Sequence, residues 1–375
     1  MIYGEQFGSG NAPTAERAVR RHHRGPGSTD VKRVSQKKIA DAAGVSQATV
    51  SLVLSGQPVA SIVTRDRVLR AAEQLRYRPN LLVRGMQTGR TQTIGVMVPP
   101  FNFYWAEVLY GIHDGLLAAD HIPITLWSAH KRSGTWRRSV VVPNMLEQVH
   151  RLLDRRVDGV ILWPPMATVY ERHVEEFSAR DLPVVTIDHR LPSRFQAGQV
   201  VSDEPQGAAL VAEHLLRLGH RRIGYLAAPA TASWAVARRD HFERAVGRSA
   251  TVTVETNPTG EPHDADGPAR RLLDRPDRPT AVVAASDLFA KVVYRACRAL
   301  RLRIPQDVSV VGFSDDDFAA EMDPPLTTVR QPAYDIGRVA AEVVLARCGE
   351  RSPQAVADRV LPVSLIVRQS TAAPR

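Results

Sequence analysis

The chain has 375 residues, 44% of them hydrophobic, a size and balance that suit two or three soluble globular domains rather than one small one. Its longest apolar runs, such as Val157–Trp163 broken by Asp158, are too short to cross a membrane. Two widely spaced cysteines, Cys297 and Cys348, exclude a disulfide framework and a thiolate metal cluster. Residues 1–90 carry 15 Lys and Arg against 6 Asp and Glu, whereas residues 91–375 carry 34 against 33. The basic excess therefore sits in the first quarter, where it fits either a polyanionic partner or a solubilising tail.

Residues 1–33 are rich in Gly, Pro, Arg and small polar residues without hydrophobic period. They read as a disordered basic leader, or as an over-long start assignment. The basic run Arg17–Arg24 leads into Gly25-Pro26-Gly27-Ser28 rather than an apolar segment, so no export signal is expected and the cytoplasm is the expected location. Order begins near Ser35, which can N-cap a helix with Ile39, Ala40 and Ala43 inward. Gly44 supplies a sharp exit, Val45 plugs the corner and Ser46 caps a second helix. On that helix Val50, Val53 and Leu54 face inward, while Gln47, Ala48, Ser51 and Leu52 lie opposite. Such a pair is either a helix-turn-helix, whose second helix enters the major groove, or a plain helical hairpin in a bundle. Gln can pair with adenine, and Ala or Leu can touch a thymine methyl. A third helical pattern runs from about Thr64 to Arg76 and ends before Pro79. A short one, Leu81–Gln87, stops at Gly89.

From Thr93 the texture changes. Apolar runs at Ile94–Val98, Ile122–Trp127, Gly159–Trp163, Val184–Ile187, Ile223–Ala227, Ala281–Ala285 and Val308–Phe313 read as strands. Helical patterns at Glu107–Ala119, Leu146–Arg155, Ala208–Leu218 and Leu288–Leu300 separate them. The alternation predicts parallel βαβ units in two lobes, with a ligand cleft at the carboxyl ends of the strands. The residues just after those runs are the binding candidates: Asn102, Trp105, Trp163, Asp188, Ser286 and Ser314, with Arg238 on a helix after Ile223–Ala227. Trp105 and Trp163 can stack on a ring or pack in the core, and Asp188 and Arg238 can bind ligand or form a structural ion pair. There is no phosphate loop, Gly-x-Ser-x-Gly elbow or His-Glu-x-x-His motif, and adjacent carboxylates such as Glu175-Glu176 are weak evidence for acid–base work. No enzyme, cofactor or metal is expected. A periplasmic solute-binding protein would need an export signal and would lack residues 35–90.

The segment Ile39–Leu54, then Thr64–Val68 and Tyr77-Arg78-Pro79-Asn80, closely resembles the headpiece of the lactose-repressor (LacI/GalR) family. The resemblance continues in order through Thr88–Val96, Arg156–Gly159, Glu213–Ile223, Ile304–Phe313, Pro324–Gln331 and Leu361–Thr371. It implies an α/β chain with an N-terminal all-α helix-turn-helix headpiece and a two-lobed, periplasmic-binding-protein-like (type I) core of two doubly wound parallel sheets. The implied organisation is a leader (1–33), a headpiece (34–79), a hinge helix and linker (80–91) and an effector-binding and dimerisation core (92–375). The first lobe of that core takes about 92–200 and 333–361, the second about 201–332 and 362–375. The resemblance gives base reading to Gln47, Ala48 and Leu52, and capping or phosphate contacts to Ser46, Thr49, Ser51 and Thr64. Asn80, Val83 and Met86 would meet DNA at the hinge, with Met86 wedged into the minor groove or packed as a linker residue. It also puts Asp188, Arg238, Ser286 and Ser314 on effector-contacting positions and makes His214 and His220 structural. Departures are Leu52 in place of a basic residue, Gly85 within the hinge helix, Ser286 in place of Asn and Ser314 in place of Asp. The implied partners are a pseudo-palindromic double-stranded operator, a sugar or related metabolite and a second copy of the chain. With no heptad segment after the last motif, a dimer is expected, acting as a repressor, with no membrane partner.

Overall fold

The computed structural model describes residues 34–55, 61–77, 85, 89–99, 103–127, 129–130, 140–141, 145–163, 167–189, 198–230, 232–259, 262–349 and 358–375. They fall into two units, Met1–Asn80 and Leu81–Arg375. The first unit holds α1 (Gln36–Ala43), α2 (Gln47–Leu54) and α3 (Ile62–Gln74). Ile39, Ala40, Ala43, Val50, Val53, Val68, Ala71 and Ala72 form its core. Gly44 takes the left-handed conformation, φ +62, and its N–H donates to the Ala40 carbonyl, closing α1 where any side chain would be strained. Ser46 caps α2 by accepting from the Thr49 N–H at 3.1 Å.

Two local expectations need correction. Ser35 stands at the N-cap of α1, but its hydroxyl makes no capping bond; its carbonyl accepts from the Lys38 N–H instead. The third helix starts earlier than Thr64. Ser61 is its cap, accepting from the Thr64 N–H at 3.3 Å, and Thr64 lies in the first turn. The apolar period hid this start because Ile62 and Val63 are exposed and the buried face begins at Val68.

In the second unit the chain runs β1 (Thr93–Val98), α4 (Phe103–Ala118), β2 (Ile122–Trp127), β3 (Ala129–His130), β4 (Val140–Val141), α5 (Met145–Asp154), β5 (Gly159–Leu162), α6 (Ala167–Ser178), β6 (Val184–Ile187) and β7 (Gly198–Ser202). It continues through α7 (Glu204–Arg217), β8 (Arg222–Ala227), α8 (Ser233–Val246), β9 (Thr251–Thr256), α9 (Asp266–Leu273), β10 (Ala281–Ala284), α10 (Asp287–Ala299), β11 (Ser309–Ser314) and β12 (Thr327–Arg330). Last come α11 (Ala333–Gly349), β13 (Arg359–Leu361) and β14 (Ser364–Ile366).

The strands build two main sheets. One has the order β13-β7-β6-β5-β1-β2 and is parallel throughout. The other has the order β14-β12-β11-β10-β8-β9 and is parallel except for β14 at its edge. β3 and β4 pair separately. Each main sheet has its own core. Ile94, Val96, Ile112, Leu116, Ile161 and Val344 pack in the first, and Tyr225, Leu226, Phe242, Val292, Val310 and Phe313 in the second. The buried strands are near-continuous apolar runs, as sheets covered on both faces require.

The chain passes between the sheets three times, at Ser202–Glu204, Arg330–Ala333 and Leu361–Ser364. The second passage returns α11 to the first sheet, where it lies on α4. Gly111 and Gly337 allow this contact: a Cβ on Gly111 would stand 2.0 Å from the Tyr334 carbonyl oxygen, and one on Gly337 2.0 Å from that of Val108. The two backbones touch, so neither position has room for a methyl group. Gly337→Ala should destabilise the core by about 3 kcal/mol, as overpacking at a rigid contact does. Urea unfolding checks this, and a wild-type midpoint would show that the helices part freely.

Candidate nucleic-acid interface and ligand cleft

On α2 the outward face is laid out by the inward packing of Val50 and Val53. Gln47 and Ala48 are exposed, and Thr49, Ser51 and Leu52 are half-buried. The Ser46 hydroxyl lies 2.8 Å from the Thr49 hydroxyl and also accepts the Thr49 N–H, so these two side chains fix the start of the helix. Thr64 is tied to Ser61 in the same way, with hydroxyls 3.0 Å apart. The face is neutral along Gln47, Ala48, Ser51 and Leu52; Lys37 and Lys38 on α1 and Arg65, Arg67 and Arg70 on α3 supply positive charge in the same unit. Asn80, Val83, Met86 and Asn102 lie outside the described residues, as do residues 1–33.

The segment just before β1 is held by a clasp that sequence reading did not find. Asp158, just before β5, accepts from the Thr91 N–H at 2.9 Å and the Gln92 N–H at 2.7 Å. The Thr91 hydroxyl donates to the Arg156 carbonyl at 2.8 Å. This gives the Arg156-Val-Asp-Gly159 motif a physical role: its carboxylate and carbonyl hold the segment that precedes β1. Nearby, a Cβ on Gly85 would stand 3.1 Å from the Arg90 carbonyl oxygen, so alanine would be crowded there.

At the carboxyl ends of the strands the two sheets present facing side chains. Asp188 follows β6 with φ +51 and accepts a hydrogen bond from the Tyr104 hydroxyl on α4. Burial pushes the Asp188 carboxyl up to about 6, against the opposing effect of the Tyr104 bond. The phenol of Tyr104 is raised well above its usual range, first by burial and then by Asp188. Across from them, Arg238 in the second turn of α8 is 6% exposed. Its Nε donates to Glu204 Oε2 at 2.7 Å, its Nη2 to Glu204 Oε1, and its Nη1 to the Ala285 carbonyl at 2.8 Å. The guanidinium carbon lies 3.5 Å from the Phe313 ring centroid and 5.0 Å from that of Trp234. One side chain thus joins α7, α8, β11 and the end of β10. Of five guanidinium N–H groups, these bonds occupy three.

Ser286 caps α10 in extended conformation without a side-chain capping bond. Ser314 ends β11 with φ +133, and Asp315 follows at φ +60. Both serines are half-buried, and their hydroxyls have no hydrogen-bond partner among the described residues. Asp315 is held by Arg330 and Arg368, each at 2.7 Å. Three non-glycine residues with positive φ at strand ends mark backbone held out of its comfortable range, as binding sites often are. Asp287 beneath them is fully buried. It accepts from the Thr328 hydroxyl at 2.6 Å and the Asp316 N–H at 2.9 Å, and burial pushes its carboxyl up to about 6.

Trp105 is buried in the first core, edge-on to Tyr104 and to Trp163, with ring centroids 5.2 and 5.4 Å away. Trp163 is half-buried. The lobes meet again where Phe103 stands edge-on to Phe318 at 5.8 Å. Glu204 and Tyr104 were not singled out from sequence. Glu204 would have been found had Gly198–Ser202 been read as a strand, since it follows that strand directly. His214 and His220 tie down the last segment, with His214 Nε2 3.0 Å from the Thr371 hydroxyl and His220 Nε2 2.9 Å from the Ala372 carbonyl oxygen. Among the described residues no group of three His, Cys, Asp or Glu could hold a metal, and no helix is long and apolar enough to cross a membrane.

The family model of bacterial regulatory proteins of the lacI family matches residues 36–80, and that of the periplasmic binding protein-like domain matches residues 212–371. The chain is 30% identical to the ribose operon repressor of Haemophilus influenzae over 84% of its length and 91% of that protein's. The chain belongs to the LacI family of bacterial regulatory proteins. It is also 29% identical to catabolite control protein A of Priestia megaterium, over 89% of this chain and 98% of that one. The fold matches a lac repressor dimer bound to operator and the anti-inducer ONPF, with a TM-score of 0.76 at 26% identity, over 91% of this chain and 100% of that one. A LacI-family chain of this architecture is a DNA-binding transcriptional regulator and not an enzyme.

The Arg238–Glu204 pair should be costly to break from one side. Glu204→Gln leaves a buried guanidinium with half its partner and should cost the core about 3 kcal/mol, whereas Glu204→Gln with Arg238→Met should cost much less. Urea unfolding of the cycle decides it, and equal losses would mean the pair is solvated. Asp188 gives a pH test. Its folded value is raised, so its favourable contribution is complete below the unfolded value near 3.8 and is lost as pH rises through about 6. Asp188→Asn should make the fall in stability over that range shallower, leaving the part due to Asp287 and to Asp316, which burial raises to about 7. An unchanged pH profile would contradict this.

Proposed function

We propose that this regulator is a repressor that binds a pseudo-palindromic operator as a homodimer in the cytoplasm, and that a sugar or related metabolite in the inter-lobe cleft sets its operator affinity. The observation that carries the effector half is the set of unused polar groups on the facing strand ends. Among the described residues two serine hydroxyls lack partners and Arg238 keeps two N–H groups, and Asp188 is an acceptor across from them. A neutral, hydroxyl-rich ligand suits this set, because Glu204 already compensates the Arg238 charge and an incoming anion would gain little from it. Trp163, half-buried beside this set, supplies an indole ring for stacking. Solved relatives carry such ligands: a cellobiose complex of a transcriptional regulator at 27% identity and TM-score 0.64, and a ribose-bound LacI-family regulator at 25% and 0.63.

The DNA half rests on α2. Gln47 and Ala48 stand exposed at its start, with Leu52 one turn on, where base edges would meet them. Ser46, Thr49, Ser51 and Thr64 would position phosphates, and Asn80, Val83 and Met86 would act at the hinge. The dimer is supported by α4, which leaves Tyr110 and Leu117 exposed on one face, 64% and 58% accessible, as a surface that a second copy can cover.

Operator titrations test the assignment of roles. Gln47→Ala should weaken operator binding by about 1–3 kcal/mol and relax the base preference at one position per half-site. Arg238→Ala should leave operator affinity intact and abolish the response to effector. An Arg238→Ala protein that responds like wild type would move the ligand elsewhere. Light scattering at micromolar concentration should give a dimer, and Leu117→Lys should shift it toward monomer; a wild-type monomer would contradict the reading.

A further inference from the structure

We propose that the second lobe carries another small-molecule site, an arginine-lined cavity far from the cleft that takes a small phosphate-bearing anion. The cavity measures about 270 Å³, near the lower end of the range for small-molecule sites. Arg222 at the start of β8, Thr280 just before β10 and Asp307 just before β11 line it, so it lies at the amino ends of the strands. The cleft residues follow the carboxyl ends of the same strands. The length of β8 alone separates the two places by about 20 Å.

The charges in this cavity do not balance. Arg275 is closed in a two-point bond with Asp277, at 2.6 and 2.7 Å. Asp307 is closed likewise by Arg303, at 2.8 Å to each oxygen. Those partners are the first cause holding both carboxyls below their usual range; Arg222 and Arg278 act on them only weakly. Two further arginines, Arg222 and Arg278, line the same cavity with no carboxylate at salt-bridge distance among the described residues. The Arg222 Nε reaches the Arg278 carbonyl at 3.4 Å, which ties the Arg222 side chain to the segment that carries Arg278. Both His220 and the Arg222 carbonyl lie within hydrogen-bond distance of the Thr280 hydroxyl, at 2.9 and 3.2 Å, so the cavity wall is fixed.

Guanidiniums match the oxygens of a phosphate in two-point fashion, and a pair of them suits a phosphate dianion better than a single carboxylate. The cavity is concave and small, which fits one phosphate group with a short substituent rather than an extended strand. This site is independent of the effector assigned to the cleft.

Isothermal titration calorimetry on the full chain without DNA tests it, with glycerol 3-phosphate, inorganic phosphate and glycerol as titrants. The expected result is saturable binding of one phosphate compound per chain and none of glycerol. Tighter binding of the ester assigns the site to a phosphomonoester, and equal or tighter binding of inorganic phosphate assigns it to free phosphate. Arg222→Gln with Arg278→Gln should weaken binding about tenfold or more, as losing charge-assisted hydrogen bonds does. Gln306→Glu, which adds a negative charge on the exposed rim without removing a packed group, should do the same while leaving the circular dichroism and thermal transition unchanged. Absence of saturable binding by either phosphate compound overturns the proposal. So does loss of binding in Arg238→Ala with full binding in the cavity variants, which would place the anion in the cleft. Weakened duplex DNA binding in the cavity variants, with anion binding unchanged, would assign the arginines to nucleic acid and also overturn it.

Discussion

The core depends on one constraint: the chain crosses between its two sheets three times at a single seam. The crossings at Ser202–Glu204, Arg330–Ala333 and Leu361–Ser364 are bound to one another. The Asp203 N–H donates to the Leu361 carbonyl at 2.8 Å, the Val363 N–H to Gln206 Oε1 at 2.8 Å, and Gln331 Nε2 to the Ser202 hydroxyl at 2.9 Å. Short connections leave the lobes only a hinge between them, with carboxyl strand ends facing across a gap. The cleft is therefore a product of connectivity, and the side chains that face into it come from places far apart in sequence. Glu204 belongs to the first crossing, so the Arg238 pair is anchored at the seam itself.

The same logic explains how a ligand can act. Both lobes present polar groups at the facing strand ends, Tyr104 and Asp188 from one and Arg238, Ser286 and Ser314 from the other. A ligand that binds both favours one lobe arrangement by the difference in its affinity for the two, and about 1–3 kcal/mol of coupling is typical. The Asp158 clasp on Thr91 and Gln92 fixes the segment before β1 to the first lobe.

Much of the architecture was legible in the sequence. Strands such as Ile122–Trp127 and Val184–Ile187 stand out as buried apolar runs, and Gly44 between two short amphipathic helices marks the headpiece turn. Several strands escaped notice because their signal is weak for a physical reason. β9 (Thr251–Thr256) is an edge strand, half-covered, so Thr and Glu alternate with Val; β13 and β14 are too short to show a period; and β7 and β12, though buried, carry Gly, Gln, Ser, Thr or Arg beside their valines, which breaks the apolar run. Asp188, Ser286 and Ser314 stand out as candidates in the sequence because each lies at the end of a strong apolar run. Glu204 and the Asp158 clasp depend on pairings across long separations that no local pattern records. Nor could sequence decide between stacking and core packing for the tryptophans; the structure buries Trp105 and leaves Trp163 half-open.

The central claim is that occupation of the cleft and operator binding are one linked equilibrium. Its most direct test is a thermodynamic square: the dissociation constant of a ligand found by thermal-shift screening, measured on free and operator-bound protein, beside that of the operator with and without ligand. The account predicts that both affinities change by the same factor, between about 5-fold and 150-fold, as linkage requires. A ligand that binds the free protein tightly and leaves operator affinity unchanged would contradict it.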